Sequence, residues 1–350
     1  MKALILAGGM GTRLRSVTGG KPKPMADLLG RPVMEHIVRL LRNEGFGEIC
    51  AALQYRAGDI MAHFGDGSRF GVDMSYRIET TPLGTAGSVK GCRDFIGGDE
   101  VLVISGDAVC DFDLAALMRE HQRRGAIATL ALSARSAPLR YGLAVTDAAG
   151  DIRSFIEKPD WGRVVTDLVN TGIYVLSPRV LDFIPEDRPC DFGKELFPAL
   201  LRRGERLAGV VLEGYWQDIG TPEDYYRCCA DALAGKLRLT PGEGFSLPQR
   251  PEEPERDEEG VTADCACRDR ARLMGTLSEL MLELGADYDD GIRLRGEDYA
   301  LHIAPLAGRE AVRIAVQAED TEFAQELCLS ARRIAEAIEA GNEGTAKESG

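Results

Sequence analysis

Two cations, Arg13 and Lys23, flank a glycine turn, and an aspartate, Asp107, stands just past a second apolar run. Residues 4–24 read LILAGGMGTRLRSVTGGKPKP: an apolar segment, a Gly-rich turn, Arg13, and ten residues later Lys23 between two prolines. A strand feeding such a turn offers backbone N–H groups to phosphate oxygens, because glycine turns with φ > 0 and lets the chain approach closely. Two fixed cations beside that cradle suit phosphoryl or nucleotidyl transfer, where positioning and charge stabilisation carry the catalysis. A dinucleotide fingerprint needs G-x-G-x-x-G and a P-loop needs G-x-x-x-x-G-K-[ST]; Gly8-Gly9-Met10-Gly11 and Gly20-Lys21-Pro22 match neither. Asp107 follows the run EVLVIS, and an Asp at the C-terminal end of a sheet strand is placed to hold Mg²⁺ on substrate phosphates.

The elements that must position these groups are legible as a pattern. Residues 2–7 and 100–105 are short apolar runs of the kind buried in parallel sheets. Between them Pro32 opens an amphipathic helix, striped by Val33, Ile37, Leu40 and Leu41, that Gly45 ends. Strands at 48–53 and 72–78 alternate with a helix at 57–64, so the sheet is expected to be parallel with helices on both faces. Further strands are expected at 127–133, 141–146, 152–157, 171–176 and 207–213, and helices at 113–124, 193–202 and 222–234. Asp111 and Asp113 read as helix-capping acids. Residues 237–267 form an acidic, Pro-rich linker, 268–342 a small α+β unit, and 343–350 a disordered tail.

Composition sets limits. The chain has 350 residues, 44% of them hydrophobic, enough for one large domain and a small one. No apolar run approaches a membrane span, and the N-terminus lacks the apolar core of a signal peptide. The nine cysteines show no framework, and Cys265-x-Cys267 reads as plain surface, so a reduced, cytoplasmic protein is expected. A net charge of −14 argues against nucleic acid, so an anionic substrate needs local cations. His36, His63, His121 and His302 fall in expected helices or a strand, and there is no convincing Cys/His or Ser/His set.

The stretch from Leu4 to Pro24 resembles the signature of the sugar-1-phosphate nucleotidyltransferases (NDP-sugar pyrophosphorylases), and the resemblance covers roughly residues 1–236 as a catalytic domain. It implies a Rossmann-like, GT-A-like, three-layer α/β domain with a mainly parallel sheet. On that resemblance Leu6, Ala7, Gly8, Gly9, Gly11 and Thr12 would cradle the nucleotide, with Arg13 on the β- and γ-phosphates and Lys23 on the α-phosphate. Pro82-Leu83-Gly84-Thr85-Ala86-Gly87 is similar to the family's second nucleotide loop, with Pro82, Gly84 and Thr85 as contacts; its glycine would admit backbone to the base. Glu79 stands where relatives read the base, or is an ordinary solvated acid. A carboxylate only accepts, which suits guanine N1–H and N2–H₂ and also the N3–H of uracil or thymine.

The run from Tyr215 to Pro222, YWQDIGTP, resembles a further motif and brings Asp218 as a second Mg²⁺ ligand beside Asp107; the plainer role for Asp218 is to begin the cap of the helix at 222. Tyr141-Gly142, Glu157-Lys158-Pro159 and Asn170-Thr171-Gly172-Ile173-Tyr174 resemble the family's sugar-phosphate side, so Gly142, Glu157, Lys158, Asn170 and Thr171 would hold the sugar 1-phosphate. Residues 270–339 resemble the last domain of the phosphoglucomutase/phosphomannomutase family, but Ala304–Glu310 has lost the phosphate-binding residues, so no mutase activity is expected. Together these imply an NTP and a hexose 1-phosphate as partners, first GTP and mannose 1-phosphate, with UTP or dTTP and glucose 1-phosphate or a heptose phosphate as alternatives. A silent nucleotide-sugar sensor is the alternative from another class. Neither nucleic acid nor membrane is an expected partner, and homo-oligomerisation is left open.

Overall fold

The computed structural model describes residues 1–9, 11–135, 138–159, 163–186, 188–239, 260–288, 291–296, 298–306 and 309–347. They fall into two compact units: Met1–Ser133, Thr146–Phe155 and Asn170–Arg250 in the first, and Ala134–Val145, Ile156–Val169 and Pro251–Gly350 in the second.

The first unit is built on strands Lys2–Ala7, Glu48–Leu53, Asp73–Ile78 and Val101–Ser105. All pair in parallel, with Lys2–Ala7 between Glu48–Leu53 and Val101–Ser105. Their side chains explain this: Ala3, Leu4, Ile5, Ile49, Leu102 and Val103 are fully buried, as residues covered on both faces of a sheet must be. The strand Leu168–Leu176 then joins antiparallel to Val101–Ser105, and Ala128–Ala134 follows, paired in parallel with Leu207–Val211. The sheet is therefore mostly parallel on this side, with Leu168–Leu176 running against Val101–Ser105, a direction that no local pattern encodes. The helix Val33–Asn43 begins after Pro32 and stops before Gly45, whose φ is +86°, as its sequence requires. Among the described residues no helix is long and apolar enough to cross a membrane.

Two short elements matter more than their size. Ala108–Cys110 and Trp216–Asp218 pair antiparallel with Asp218 opposite Ala108, which carries the C-terminal motif to the end of the Val101–Ser105 strand. The helix Pro222–Leu233 then starts at Thr221, whose side chain and that of Asp224 form a reciprocal capping box. Asp218 is thus released from the capping role. Asp113 does cap the helix Leu114–Arg124, accepting from Ala116 N–H at 2.6 Å. Asp111 does not: it accepts from the N–H groups of Tyr215 (2.7 Å) and Arg238 (3.1 Å), tying two later segments together.

The second unit holds an antiparallel sheet in the order Val261–Ala266, Ala311–Ala318, Tyr299–Pro305, Ile292–Arg295, with helices Arg270–Met281 and Thr321–Lys347. Three expectations are corrected here. The linker expected at 237–267 ends in a strand, because Val261–Ala266 pairs along its length with Ala311–Val316; residues 240–259 lie outside the described residues. Cys265 and Cys267 are buried, not surface, Cys265 as part of that strand. Residues 343–347, expected to be a disordered tail, continue the last helix, and 348–350 lie outside the described residues. The division expected at residue 236 also differs from that observed, since 134–145 and 156–169 group with the C-terminal residues. Within that unit Arg270 binds both Asp167 (3.1 Å) and the Leu306 carbonyl (3.1 Å).

Candidate active site

The glycine turn closes onto Lys23. Gly11 has φ +59°, and a Cβ there would lie 2.6 Å from Lys23 Cβ, so only glycine lets the two segments cross. Beyond it, Thr12–Leu14 and Arg15–Thr18 make two short helical turns. Ala7 is buried, the Leu6 carbonyl accepts from Gly106 N–H at 2.8 Å, and Gly9 and Thr12 are exposed. Gly8 is half-buried against Gln54. Arg13 is exposed, with no ion-pair partner among the described residues, so its guanidinium is free for an anion.

Lys23, Asp107 and Asp218 come together although they are far apart in the chain. Lys23 Nζ donates to Asp107 Oδ2 at 2.7 Å and to Asp218 Oδ1 at 3.1 Å; the three side chains are 13%, 31% and 36% exposed. Ser105 Oγ donates a short hydrogen bond to Asp107 Oδ1, fixing the carboxylate from its other side. Burial alone would lower the Lys23 pKa, but the two carboxylates overcome it and hold the ammonium above its usual value. Asp107, despite burial, is held below the usual carboxylate range by Lys23. Asp218 is pushed up, by burial first and then by the negative charge of Asp107. One ammonium therefore serves two carboxylates and fully compensates only one.

The residues expected to meet the base are also fixed by hydrogen bonds and packing. Glu79 extends the Asp73–Ile78 strand, its N–H donating to the Leu53 carbonyl at 2.7 Å. It is only 8% exposed, and its Oε1 is buried without a hydrogen-bond partner among the described residues. It is not an ordinary solvated acid, the other reading its sequence allows: a buried acceptor without a donor costs free energy. Pro82 and Thr85 are exposed at the start of the helix Gly84–Gly91. Gly84 has φ +74°, and a Cβ there would lie 2.5 Å from the Cys190 carbonyl oxygen. Its close approach is to that backbone, where the sequence suggested the base.

On the sugar side, Asn170 is half-buried; its Nδ2 donates to Tyr174 Oη at 2.8 Å and its Oδ1 accepts from Gly172 N–H at 3.1 Å. Thr171 is a core residue: its hydroxyl donates to the Ala131 carbonyl at 2.8 Å and its own carbonyl accepts from Trp216 Nε1 at 3.0 Å. Its side chain is engaged in the sheet and is withdrawn from the expected sugar contacts. Gly142, Glu157 and Lys158 belong to the second unit. There Lys158 takes an unusual φ of +42° for a residue with a side chain, with its N–H donating to the Tyr141 carbonyl at 3.2 Å. Two residues were missed by sequence reasoning. Ser105 carries a signal, since it stands two residues before Asp107; Asp191, which accepts from Thr85, carries none.

The sequence profile described as nucleotidyl transferase matches residues 2–235. The chain belongs to this family. Over 251 residues it is 38% identical to a UTP–glucose-1-phosphate uridylyltransferase of Synechocystis sp., covering 68% of this chain and 65% of that one. Over 234 residues it is 36% identical to a mannose-1-phosphate guanylyltransferase of Mycobacterium tuberculosis, covering 67% and 65%. The match thus spans just under two thirds of those relatives' length. Among solved structures it is similar to HddC from Yersinia pseudotuberculosis, crystallised also with GMP-PN, at 30% identity and TM-score 0.58, covering 66% of this chain and 99% of that one. A putative glucose-1-phosphate thymidylyltransferase from Bacillus anthracis matches at 28% identity and TM-score 0.62, covering 69% and 97%. The donor set of Asp107 and Asp218, two hard carboxylates converging on one ammonium, fits Mg²⁺, which takes one or two carboxylates and draws its other ligands from phosphates and water. No group of three or more ligating side chains is present among the described residues.

Proposed function

We propose that this nucleotidyl transferase joins a nucleoside monophosphate from an NTP to a hexose 1-phosphate, with GTP and mannose 1-phosphate as its pair. The observation that carries the reading is the Lys23–Asp107–Asp218 cluster beside the Gly-rich turn. An oxygen of the sugar 1-phosphate attacks the α-phosphorus; the new P–O bond forms as the bond to the β-phosphate breaks, and the electron pair leaves with pyrophosphate. The nucleophile is already ionised near pH 7, so no general base is needed. Arg13 would stabilise the leaving pyrophosphate and Lys23 the charge on the α-phosphate. Asp107 and Asp218 would hold Mg²⁺, which supplies charge neutralisation on the phosphates. Asn170, with Gly142, Glu157 and Lys158, is proposed for the sugar 1-phosphate on the family resemblance. The C-terminal layer of helices and strands is proposed as a degenerate relative of the last mutase domain.

Guanine is favoured by Glu79, a buried carboxylate whose Oε1 lacks a hydrogen-bond partner among the described residues, since N1–H and N2–H₂ form a donor edge for one carboxylate. The relative of M. tuberculosis and the GMP-PN complex of HddC support the same choice. Uridylyl transfer to glucose 1-phosphate is the second reading, favoured by the Synechocystis relative. Pyrophosphate release across GTP, UTP, dTTP, ATP and CTP, each with mannose and glucose 1-phosphates, tests both. GTP with mannose 1-phosphate should turn over fastest. A faster UTP–glucose pair would replace the first reading by the second, and tight product binding without turnover would mark a sensor.

A further inference from the structure

The proposed base loop does not stand free. Its Leu83 carbonyl accepts from Cys190 N–H at 2.8 Å, and its Ala86 and Gly87 N–H groups donate to the Cys190 carbonyl at 3.0 and 3.1 Å. Thr85 Oγ1 donates to Asp191 Oδ2 at 3.0 Å and accepts from Phe192 N–H at 3.0 Å. Residues 83–87 are thus joined to 190–192 by a run of hydrogen bonds in which only Asp191 and Thr85 use side chains. The other oxygen of Asp191 accepts from the N–H groups of Gly193 (3.0 Å) and Lys194 (3.2 Å), capping the turn that follows. That turn is itself anchored: the Phe192 ring is buried, 4.8 Å from Tyr174 and 5.2 Å from Phe197, centroid to centroid. Gly84, which a Cβ would drive into the Cys190 backbone, lets the two segments lie this close.

We propose that Asp191 is a positioning residue for nucleotide recognition: it latches Thr85 and so holds the 82–87 loop in the conformation that meets the base. A carboxylate suits this place because it accepts on both sides at once, from the hydroxyl of Thr85 and from the backbone of its own turn. Without the latch the start of this segment, where Pro82 and Thr85 are exposed, would be held by the backbone bonds to Cys190 alone, and ordering it on binding would weaken affinity for the nucleotide alone. The kinetic consequence rests on the nucleotidyl-transfer reading; the structural one does not.

Two variants separate latch from fold. Asp191→Asn keeps an oxygen to cap the turn but replaces the acceptor of the Thr85 hydroxyl by a donor, and Thr85→Val removes the hydroxyl at nearly constant volume. Each should raise KM for the NTP about tenfold, ~1.4 kcal/mol, with kcat within about twofold and KM for the sugar 1-phosphate unchanged. Thr85→Ser should restore the wild-type KM. Hydrogen exchange by mass spectrometry should show faster exchange across 83–91 in both variants and no change in Lys2–Ala7. Unchanged exchange in the loop, or equal increases in both KM values that Thr85→Ser does not rescue, would overturn the latch. If the wild type turns over no substrate pair, the transfer reading fails, and exchange together with equilibrium titration of GTP still decides on Asp191.

Discussion

Removing the Lys23 ammonium is the most direct test of how this site stores charge. In Lys23→Met the apolar stem is largely kept, while Asp107 and Asp218 lose the cation that holds them together at 2.7 and 3.1 Å. Each charge-assisted hydrogen bond contributes ~1.5–3 kcal/mol where burial is good. Both carboxyl groups are about a third exposed, at 31% and 36%, so solvent screening moves the figure to the low end. The repulsion left between two carboxylates is relieved in part when Asp218, already pushed towards its protonated form, takes a proton. The expected cost is ~2–3 kcal/mol, and for a unit of this size that lowers Tm by about 4–12 °C. The same carboxylates, freed of their ammonium, should take up a divalent ion more readily. With Mg²⁺ at about 10 mM and a Kd of about 1 mM, linkage returns ~1.4 kcal/mol. Thermal unfolding without nucleotide, with and without Mg²⁺, therefore gives the answer: a clear loss in the variant, about half regained with Mg²⁺, and little response in the wild type. Turnover of the variant should still fall by about 10²–10³, as for loss of one preorganised charge-stabilising donor. A variant with wild-type Tm, or one whose loss ignores Mg²⁺, would refute the coupling of these three groups.

Other consequences are equally open to measurement. Glu79→Gln trades a two-sided acceptor for one acceptor and one donor, so preference for GTP over UTP in a competition assay should drop about tenfold; an unchanged order of nucleotides would remove Glu79 from base reading. Burial holds His36 and His121 below the ordinary 6.5, so the unfolded chain binds protons first as pH falls. Stability from these groups is whole above about pH 6.5 and is lost as pH falls towards their folded values, and urea midpoints of His36→Gln/His121→Gln should show a flatter slope there than the wild type. Removing residues 251–350 takes away the body with which 134–145 and 156–169 group, and these carry Gly142, Glu157 and Lys158. KM for the sugar 1-phosphate should rise well above that for the NTP in this truncation; equal values for both substrates, unchanged from full length, would show those segments to be self-supporting.

Much of this was legible in the sequence, for local reasons. The parallel strands announced themselves as apolar runs because both of their faces are covered, and the helix after Pro32 because its stripe and its stop are written within a few residues. Asp107 and Lys23 could be picked out by type and setting. Their meeting with Asp218 depends on the pairing of Ala108–Cys110 with Trp216–Asp218, which is a long-range fact. The strand Val261–Ala266 was hidden differently. Its inward Cys265 and outward Thr262 and Asp264 do alternate, but the run of prolines and acids just before it dominated the window. Thr171 misled because a motif gives the identity of a residue and not its facing; in the strand it points to Ala131. Asp191 had no signal at all, since the hydroxyl it accepts from is 106 residues away.

The charge arithmetic of the site also resolves a tension in the composition. A chain of net charge −14 repels the triphosphate it is proposed to bind, and two of its negative charges, Asp107 and Asp218, stand where the phosphates would arrive. The compensation is local and deliberately incomplete. Lys23 satisfies Asp107 and leaves Asp218 with a raised pKa, a carboxylate whose charged form is under-stabilised and which gains from any added positive charge. Arg13, exposed and unpaired among the described residues, would be left for the anion of the proposed function. A site built this way would be biased to accept cation and polyanion together and to disfavour the polyanion alone. On the proposed function, selectivity for a metal-bound nucleotide would need no global field: free NTP would meet two carboxylates with a single ammonium between them, whereas the metal complex would bring the charge that Asp218 lacks. Nucleotide binding measured without divalent ions should accordingly be weak in the wild type and stronger in Asp218→Asn, the reverse of their order with Mg²⁺ present; the same order in both conditions would contradict the argument.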